Sequence, residues 1–144
     1  MKIEIRDIQQ HLKIDKKLIR KWSEIALRAM KEDGAELSLL FTDDAYIKRL
    51  NCKFLNVDDK TDVLAFPMRE GEGLSKTSPI LGDVVISVET AKRQAKKRKS
   101  PVKNEVCLYL VHGILHLLGY DDTDRVNKKK MKDKEKELIS LMCK

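Results

Sequence analysis

The sequence lacks several features that define large classes of proteins. No stretch approaches the 18 uninterrupted apolar residues of a transmembrane helix. The N-terminus shows no apolar stretch with a small-residue cleavage site, so no signal peptide is expected. The three cysteines, Cys52, Cys107 and Cys143, are an odd number without a C-x-x-C pair. These absences predict a protein of the reducing cytoplasm with no membrane segment and no disulfide partner.

The chain also contains no repeat, no low-complexity tract and no linker that would divide it. Its 144 residues fit one domain, and a hydrophobic content of 42% is enough to build a core. A chain of this size buries roughly 70% of its unfolded surface, so its stability does not depend on disulfides. We therefore expect residues 1–144 to form a single domain.

Hydrophobic periodicity predicts both strands and helices. Short, partly β-branched segments predict strands at 2–6, 36–41, 62–66 and 81–88. Apolar residues at helical spacing predict helices at 15–32, in a short segment capped by Thr42, at 89–99, at 101–118 and at 123–143. Asp33 and Gly34 are expected to stop the first helix, and Ser100 and Gly119 to bound the fourth. Strands concentrate in the first half and helices in the second, which predicts an α+β fold.

One long irregular segment separates the third and fourth predicted strands. Residues 67–79 (PMREGEGLSKTSP) combine glycine, serine and proline, which predicts a loop. A loop of this length in a small domain fits a functional lid or substrate edge, and it fits a plain surface loop equally well.

The segment 106–124 (VCLYLVHGILHLLGYDDTD) carries the strongest functional signal. Its first thirteen residues are apolar except for His112 and His116, which predicts a central, buried helix. The two histidines are four residues apart, so they share one helix face. Burying two imidazoles without a partner is costly, and a metal ion would partner both. A histidine pair alone also fits a satisfied pair in the core, so the following residues matter.

Those residues supply a candidate third ligand. Gly119 is expected to end the helix and let the chain turn back towards the histidine face. The resulting pattern, H-x-x-x-H-x-x-G-x-x-D, has the ligand spacing of metzincin metalloproteases with an acid in third place. Two imidazoles and one carboxylate leave a fourth position open, as in catalytic metal sites. We predict one divalent metal ion, with zinc as the expected ion, held by His112, His116 and Asp122.

Position 113 argues against a protease. Zincin proteases place a glutamate directly after the first metal-binding histidine, where it is the general base, whereas this chain has Gly113. Peptide hydrolysis by that route is therefore not expected. A metal ion flanked by basic segments fits phosphodiester chemistry instead, because a cation polarises a phosphoryl oxygen and lowers the pKa of a bound water.

Positive charge is concentrated in two short segments. The net charge of the chain is +7, but the charge is unevenly distributed. Residues 92–103 include seven basic and no acidic residues, and residues 125–136 include seven basic and two acidic residues. Two such segments flanking one motif favour a polyanionic partner such as a nucleic acid. The alternative is that each segment is the solvated face of a helix. The candidate RNA-binding residues are Lys92, Lys96, Lys97, Lys99, Lys128 and Lys129.

Three blocks of sequence carry a family resemblance. They are LNCKFLNVDDKTDVLAFP (50–67), LGDVVIS (81–87) and HGILHLLGYDD (112–122). The last resembles the signature H-G-x-L-H-L-x-G-Y-D-H of the YbeY family of bacterial rRNA-maturation endoribonucleases. The other two are similar to that family's L-N-x-x-Y-R-x-x-D-x-P-T-D-V-L-S-F-P and L-G-D-I-x-I-S. The blocks occur in the family order and cover nearly the whole chain.

The resemblance implies both a fold and an activity. The implied fold is a single α+β domain with a four-stranded mixed sheet, about five helices and a central histidine-bearing helix. The implied cofactor is a zinc ion held by three histidines, of which His112 and His116 match the first two. The implied role is cytoplasmic maturation of ribosomal RNA and quality control of ribosomes, with ribosomal RNA or ribosomal subunits as partners.

Of the positions that depart from the family pattern, two bear on the chemistry, whereas Lys60 stands where the family has Pro and Ala65 where it has Ser. Asp122 stands where the family has its third histidine, and aspartate ligates zinc at a similar distance, so we expect the site to persist. Leu55 stands where the family has an arginine near the scissile phosphate. Leucine cannot offer the paired donors of a guanidinium, so we expect weak cleavage.

Other polar positions of the two earlier blocks match the family. Thr61 and Asp62 either orient the site or RNA, or cap a turn. Asp83 directly follows Gly82, and this pair fits a bulge in the fourth predicted strand.

The leading hypothesis is a metal-dependent endoribonuclease that acts on single-stranded RNA in rRNA maturation. The alternative is a ribosome-biogenesis factor that binds metal and RNA but cleaves weakly or not at all. Leu55 and Asp122 both favour the alternative, because each replaces a group that the family uses. A metalloprotease is the third possibility and is disfavoured by Gly113.

Overall fold

The computed structural model describes residues 1–69 and 78–143. The strands are β1 (Lys2–Asp7), β2 (Glu36–Thr42), β3 (Val63–Pro67) and β4 (Ile80–Ser87). The helices are α1 (Lys16–Ala29), α2 (Asp44–Leu55), α3 (Val88–Arg98), α4 (Val102–Leu117) and α5 (Arg125–Met142). Within the described ranges no helix combines the length and apolar character needed to cross a membrane. Most of the predicted 67–79 loop, residues 70–77, lies outside the described residues.

The four strands form one mixed sheet in the order β1-β2-β4-β3. Strands β1, β2 and β4 are parallel, whereas β3 runs antiparallel to β4 and pairs Val63 with Ile86 and Pro67 with Gly82. The register between β2 and β4 shifts next to Gly82, which confirms the predicted bulge. The predicted α+β class and the four-stranded mixed sheet are confirmed. Because β3 lies at an edge, one side of its backbone has no neighbouring strand among residues 1–69 and 78–143.

Helix α4 is the central element of the core. It packs against β3, β4, α1, α3 and α5, and Leu110, Ile114 and Leu115 are fully buried. Gly113 faces the sheet: a Cβ at this position would lie 2.5 Å from Cγ1 of Val84. The glycine therefore allows α4 to approach β4 more closely than any other residue would. The predicted central, buried helix is confirmed.

Two cysteines show how α5 runs relative to α4. Cys107 near the start of α4 lies 3.7 Å, sulfur to sulfur, from Cys143 at the end of α5. Further along, His112 of α4 contacts Glu135 of α5. The two helices are therefore antiparallel. Cys107 is buried, as expected for a core residue, and Cys52, Cys107 and Cys143 are free thiols.

Helix α1 ends before the expected stop. The predicted stop is Asp33 and Gly34, but α1 ends at Ala29 and the residue in the left-handed conformation is Lys31, with φ of 60°. The amide of Glu32 donates to the carbonyl of Leu27 and closes the helix end. The C-terminal capping bonds therefore form before the glycine, at a small cost from the left-handed lysine.

Two helix starts also differ from the prediction. Asp43, not Thr42, caps α2, since its carboxylate accepts from the amide of Tyr46 at 2.8 Å while Thr42 is buried in β2. Ser100 does not cap α4, which begins at Val102 without a side-chain cap. The amide of Ser100 instead bonds to Ala95 and completes the end of α3. In both cases the sequence offers more than one residue that could begin the helix. The packing of the surrounding structure determines which residue does so.

Candidate metal centre

The last two turns of α4 bring two histidine rings together. His112 and His116 are one turn apart, and their Nε2 atoms lie 3.1 Å from each other. The rings are perpendicular rather than stacked, with centroids 4.6 Å apart and an interplanar angle of 76°. Both are partly buried. The two lone-pair nitrogens can therefore face the same point in space.

A tight turn after α4 returns the chain to these rings. Gly119 adopts φ of 96°, and its amide donates to the carbonyl of His116. The amide of Tyr120 donates to the carbonyl of Leu115, which completes a Schellman motif. Asp122 follows two residues later. The turn predicted at Gly119 is confirmed, although the last helical residue is Leu117 rather than Leu118.

His112, His116 and Asp122 form a group that could hold a metal ion. One ligand atom from each residue lies within 4.8 Å of the other two. For tetrahedral zinc with Zn–N bonds of about 2.0–2.1 Å, two ligand nitrogens lie roughly 3.3 Å apart, which is close to the observed 3.1 Å. Asp122 is exposed, so the third side of the group is open to solvent. The residues present fit a divalent ion that keeps one coordination position open.

The electrostatics of the two rings differ. The contact with Glu135 raises the pKa of His112 and opposes the effect of burial. Burial lowers the pKa of His116, and the neighbouring His112 lowers it further. A lowered pKa favours the neutral imidazole, the form that ligates metals. Because Nδ1 of His112 faces Glu135 at 3.4 Å, its Nε2 is directed towards His116.

Sequence reasoning missed Glu135. This residue projects from α5 into the same buried side as Met131, Leu138 and Met142. Its spacing of four residues after Met131 and three before Leu138 places it on the core-facing stripe of the helix. A charged residue on an otherwise apolar stripe is therefore the feature of the sequence that could have indicated Glu135. Its partner, His112, can be identified only once α5 is packed against α4.

A groove lies beside His116, one of the three candidate ligands. It has a volume of about 430 Å³ and is lined by His116, Gly119, Tyr120 and Asp121 on one side and by residues of β3 on the other. Because β3 is an edge strand, its outer backbone groups can hydrogen-bond a ligand in this groove. The arrangement combines an open metal-binding group with an adjoining cleft.

A larger groove of about 480 Å³ lies along β2 and β4 beside α2, but it contains none of the three candidate ligands. Its walls include Tyr46, Phe54, Phe66 and Asp83. Cavity size alone therefore does not identify the candidate site. The smaller groove is the one that adjoins ligand atoms.

The structure shows a turn role for Asp62. Its carboxylate accepts from the amide of Val63 at 2.7 Å and from the hydroxyl of Thr61 at 3.3 Å, just before β3 begins. The same carboxylate contributes, after Glu135, to raising the pKa of His112 through its charge. Asp62 therefore stabilises the start of β3 and adds negative potential near the histidines.

Gly113 has a packing role that strengthens the case against a protease. The position after His112 points at Val84 of the sheet, not at the candidate ligands. A glutamate at this position would collide with β4 and could not reach a substrate in the groove. This local geometry differs from that required of a zincin general base.

The predicted RNA-binding lysines fall into two groups. Lys92, Lys96, Lys97 and Lys99 are exposed on or just after α3, and Nζ of Lys92 donates to the carbonyl of His11. Lys99 lies three residues before α4 begins. Since a helix rises 1.5 Å per residue, the start of α4 is about 15 Å from His112.

The second group lies closer to the candidate ligands along the chain. Lys128 and Lys129 are exposed on the first turns of α5, which begins three residues after Asp122. Nζ of Lys129 lies 3.4 Å from the carboxylate of Asp133, so part of its charge is already paired. The RNA contacts of both groups remain a prediction.

Leu55 is the last residue of α2 and is half exposed. Its neighbour Phe54 packs edge-to-face on Phe66 of β3, with ring centroids 5.7 Å apart. Lys53 lies over the Phe54 ring, with Nζ 5.3 Å from its centroid. Residue 55 therefore projects from the surface close to the end of β3, where a longer charged side chain would have room.

The fold and the site together define a class: an α+β protein whose central helix and the turn after it bring together three residues that could hold a metal ion. The chain belongs to the YbeY family. The sequence profile of the family described as "Endoribonuclease YbeY" matches residues 3–142. The resemblance seen in the sequence blocks is thereby confirmed.

Individual relatives cover nearly the whole chain. A protein from Pelotomaculum thermopropionicum named "Endoribonuclease YbeY" is 41% identical, with 99% of this chain and 97% of the relative covered. A protein of the same name from Aquifex aeolicus is 44% identical, with 92% and 87% covered. The solution structure of TM1509 from Thermotoga maritima matches with a TM-score of 0.66 at 26% identity, covering 97% of this chain and 88% of that one.

Proposed function

We propose that this chain is a metal-dependent endoribonuclease that cleaves single-stranded RNA in rRNA maturation and ribosome quality control. The proposed location is the cytoplasm, the partners are ribosomal RNA or ribosomal subunits, and residues 1–144 form a single catalytic domain. The observation that carries the proposal is the convergence of His112, His116 and Asp122 within 4.8 Å beside a groove along an edge strand. The names of the relatives support this activity over that of a non-cleaving RNA-binding factor.

Zinc is the proposed ion. Two imidazoles and one carboxylate form a borderline set of ligands that suits zinc better than magnesium or calcium, which prefer oxygen alone. A bound divalent ion supplies Lewis-acid polarisation of a phosphoryl oxygen and makes a nearby water more acidic. His112, His116 and Asp122 would hold it.

The residues around the groove would orient the RNA. The outer backbone groups of β3 can accept and donate hydrogen bonds to exposed base edges, which are available in single-stranded RNA and not in a duplex. Tyr120, partly buried, offers a ring beside the same groove. The lysines of α3 and α5 would hold the phosphate backbone on either side, which gives affinity without sequence preference.

One assay tests the proposal against both alternatives. Purified protein is incubated with single-stranded rRNA fragments, with a duplex of the same sequence and with casein, with and without chelator. We expect cleavage of the single strand only, loss of that cleavage on chelation, and recovery on addition of zinc. RNA binding without cleavage would overturn the proposal in favour of the binding factor. Chelator-sensitive cleavage of casein would overturn it in favour of a protease.

A further inference from the structure

Glu135 is a buried carboxylate on a helix stripe that is otherwise apolar. Only 9% of the residue is exposed, and its stripe neighbours Met131 and Leu138 are each 1% exposed. A buried ionised carboxylate costs several kcal/mol unless it is paired or hydrogen-bonded. An apolar residue at this position would fill the stripe without that cost. Packing alone therefore does not explain why a glutamate occupies this buried position.

The contacts of Glu135 identify a single partner. Among the described residues, the ion pairs and hydrogen bonds give its side chain one contact, from Oε2 to Nδ1 of His112 at 3.4 Å. This separation is longer than the usual 2.7–3.2 Å of an N–H···O hydrogen bond. Glu135 thus approaches His112 at Nδ1, whereas Nε2 of the same ring faces His116.

We propose that Glu135 is a positioning residue that holds His112 ready to bind the metal ion. The proposal rests on the metal site proposed above. In this arrangement Nδ1–H of His112 donates to Glu135, which fixes both the tautomer and the ring orientation. Nε2 is then left with its lone pair facing His116 and Asp122. Metal-binding histidines commonly donate their second ring nitrogen to a carboxylate in this way.

The charge balance supports this role. A divalent ion held by two neutral imidazoles and Asp122 leaves one positive charge on the complex. The carboxylate of Glu135 lies behind His112 and neutralises that charge through the ring. The burial of Glu135 is then least costly when the site is filled. Loss of such a carboxylate typically weakens metal binding 10–100-fold.

Two variants separate positioning from packing. Glu135→Leu fits the apolar stripe between Met131 and Leu138 but removes the acceptor, whereas Glu135→Gln keeps an acceptor oxygen and removes the charge. The matched control is Glu105→Gln, because Glu105 is also buried, on α4, but pairs with Arg98 at 3.1 Å. Each protein is prepared metal-free and titrated with zinc against a chelator of known affinity. The visible absorption of the cobalt-substituted forms reports ligand geometry.

We expect zinc affinity to fall 10–100-fold in Glu135→Leu and by a smaller factor in Glu135→Gln. The melting temperature of metal-free Glu135→Leu should equal or exceed that of the wild type, because an apolar residue replaces a buried charge. The Glu105→Gln control should melt lower and bind zinc normally. A purely structural role would reverse this pattern, lowering stability without changing affinity.

Two results would overturn the inference, and they are distinguishable. Equal zinc affinity and an unchanged cobalt spectrum in Glu135→Leu and the wild type would overturn the role of Glu135 alone. A wild type that binds neither zinc nor cobalt would overturn the proposed metal site and the role of Glu135 with it. The wild-type titration therefore comes first.

Discussion

The two ends of α4 each meet a buried glutamate, and the partners of these two carboxylates differ. At the start of the helix, Glu105 lies 3.1 Å from the guanidinium of Arg98, a permanent cation. Towards its end, Glu135 of the neighbouring helix faces His112, which is a full cation only when protonated. The first carboxylate is neutralised by the protein itself. The second has no permanent cation among its contacts in the described residues, which agrees with the divalent ion proposed on the other side of His112.

The pKa values of side chains near the two ends of α4 also differ. At the start of α4, burial raises the pKa of the Cys107 thiol to about 12. Burial, followed by the charge of Glu105, also raises the pKa of Tyr109. Both groups are therefore neutral and unreactive at physiological pH. At the other end the two histidines have pKa values shifted in opposite directions. Opposed shifts of neighbouring groups are typical of functional sites, which agrees with the metal site proposed at this end of α4. On the basis of that proposal we call the start of α4 its structural end and the end with the histidines its chemical end.

The largest effect is expected from removing a histidine at the chemical end. His116→Ala should abolish metal binding and RNA cleavage, because it removes one of the two partly buried imidazoles whose Nε2 atoms lie 3.1 Å apart. The matched control is His11→Ala, since His11 is exposed and lies outside the group. Metal analysis and a cleavage assay on both variants are the measurements. Equal metal content in His116→Ala and the wild type would show that the ligand assignment is wrong.

The next largest effect concerns Leu55, which lies outside both ends of α4. Leu55→Arg would add a guanidinium that can bind a phosphate through two parallel hydrogen bonds. Stabilisation of transition-state charge of this kind is worth roughly 10²–10³ in rate. We expect cleavage to rise by up to that factor at unchanged metal content, with Leu55→Met as the neutral control.

A brisk wild-type rate would contradict the expectation of weak cleavage. In that case Lys53 or Lys60 already supplies the missing charge, and Lys60→Ala should lower the rate. If neither the wild type nor Leu55→Arg cleaves RNA while both bind it, the binding-factor alternative is favoured. Single-turnover rates with a labelled single-stranded fragment distinguish these outcomes.

A smaller effect is expected at Asp122, the exposed member of the group. Asp122→Ala should weaken metal binding without abolishing it, a smaller loss than at His116 because water can replace an exposed ligand. Asp122→His should retain the ion, since imidazole ligates zinc at a similar distance. Asp121→Asn is the control one residue away. Normal binding by Asp122→Ala would assign the third position to Asp121, Asp124 or solvent.

The smallest effect tests whether the structural end of α4 takes part in RNA binding. Reversal of three exposed lysines, Lys96, Lys97 and Lys99, to glutamate should weaken RNA binding. The slope of log affinity against log salt should also become shallower, by about one for each phosphate that these lysines neutralise in the wild type. The same charge change at Lys16, Lys17 and Lys21 of α1 is the control, and far-ultraviolet circular dichroism checks that both variants fold. An equal weakening in the two variants would show a general charge effect without a specific RNA-binding surface.

Local sequence patterns predicted the elements on which the candidate site depends. His112 and His116 share a helix face because their spacing is close to one turn, and Gly119 ends the helix because glycine tolerates a positive φ. These features depend on neighbours within a few residues, so the sequence contains them. The proximity of Asp122 followed from the same short-range turn.

The rest depended on packing between distant segments. Glu135 is 23 residues from His112, and only the antiparallel packing of α5 on α4 brings the two together. Similarly, β3 became the edge strand because β4 lies between β2 and β3, an order that periodicity does not encode. The collision that a side chain at Gly113 would make with Val84 also required the sheet to be in place. Periodicity assigns faces to elements, but it does not say which faces meet.

The most direct test is to restore metal stoichiometrically to metal-free protein while following the cleavage of a single-stranded rRNA fragment. If one ion held by His112, His116 and Asp122 is required, the rate should rise in proportion to added zinc and become constant at one equivalent. The His116→Ala variant should stay inactive throughout. Cleavage by metal-free wild type, or a rate that does not respond to zinc, would contradict a metal-dependent nuclease at this site.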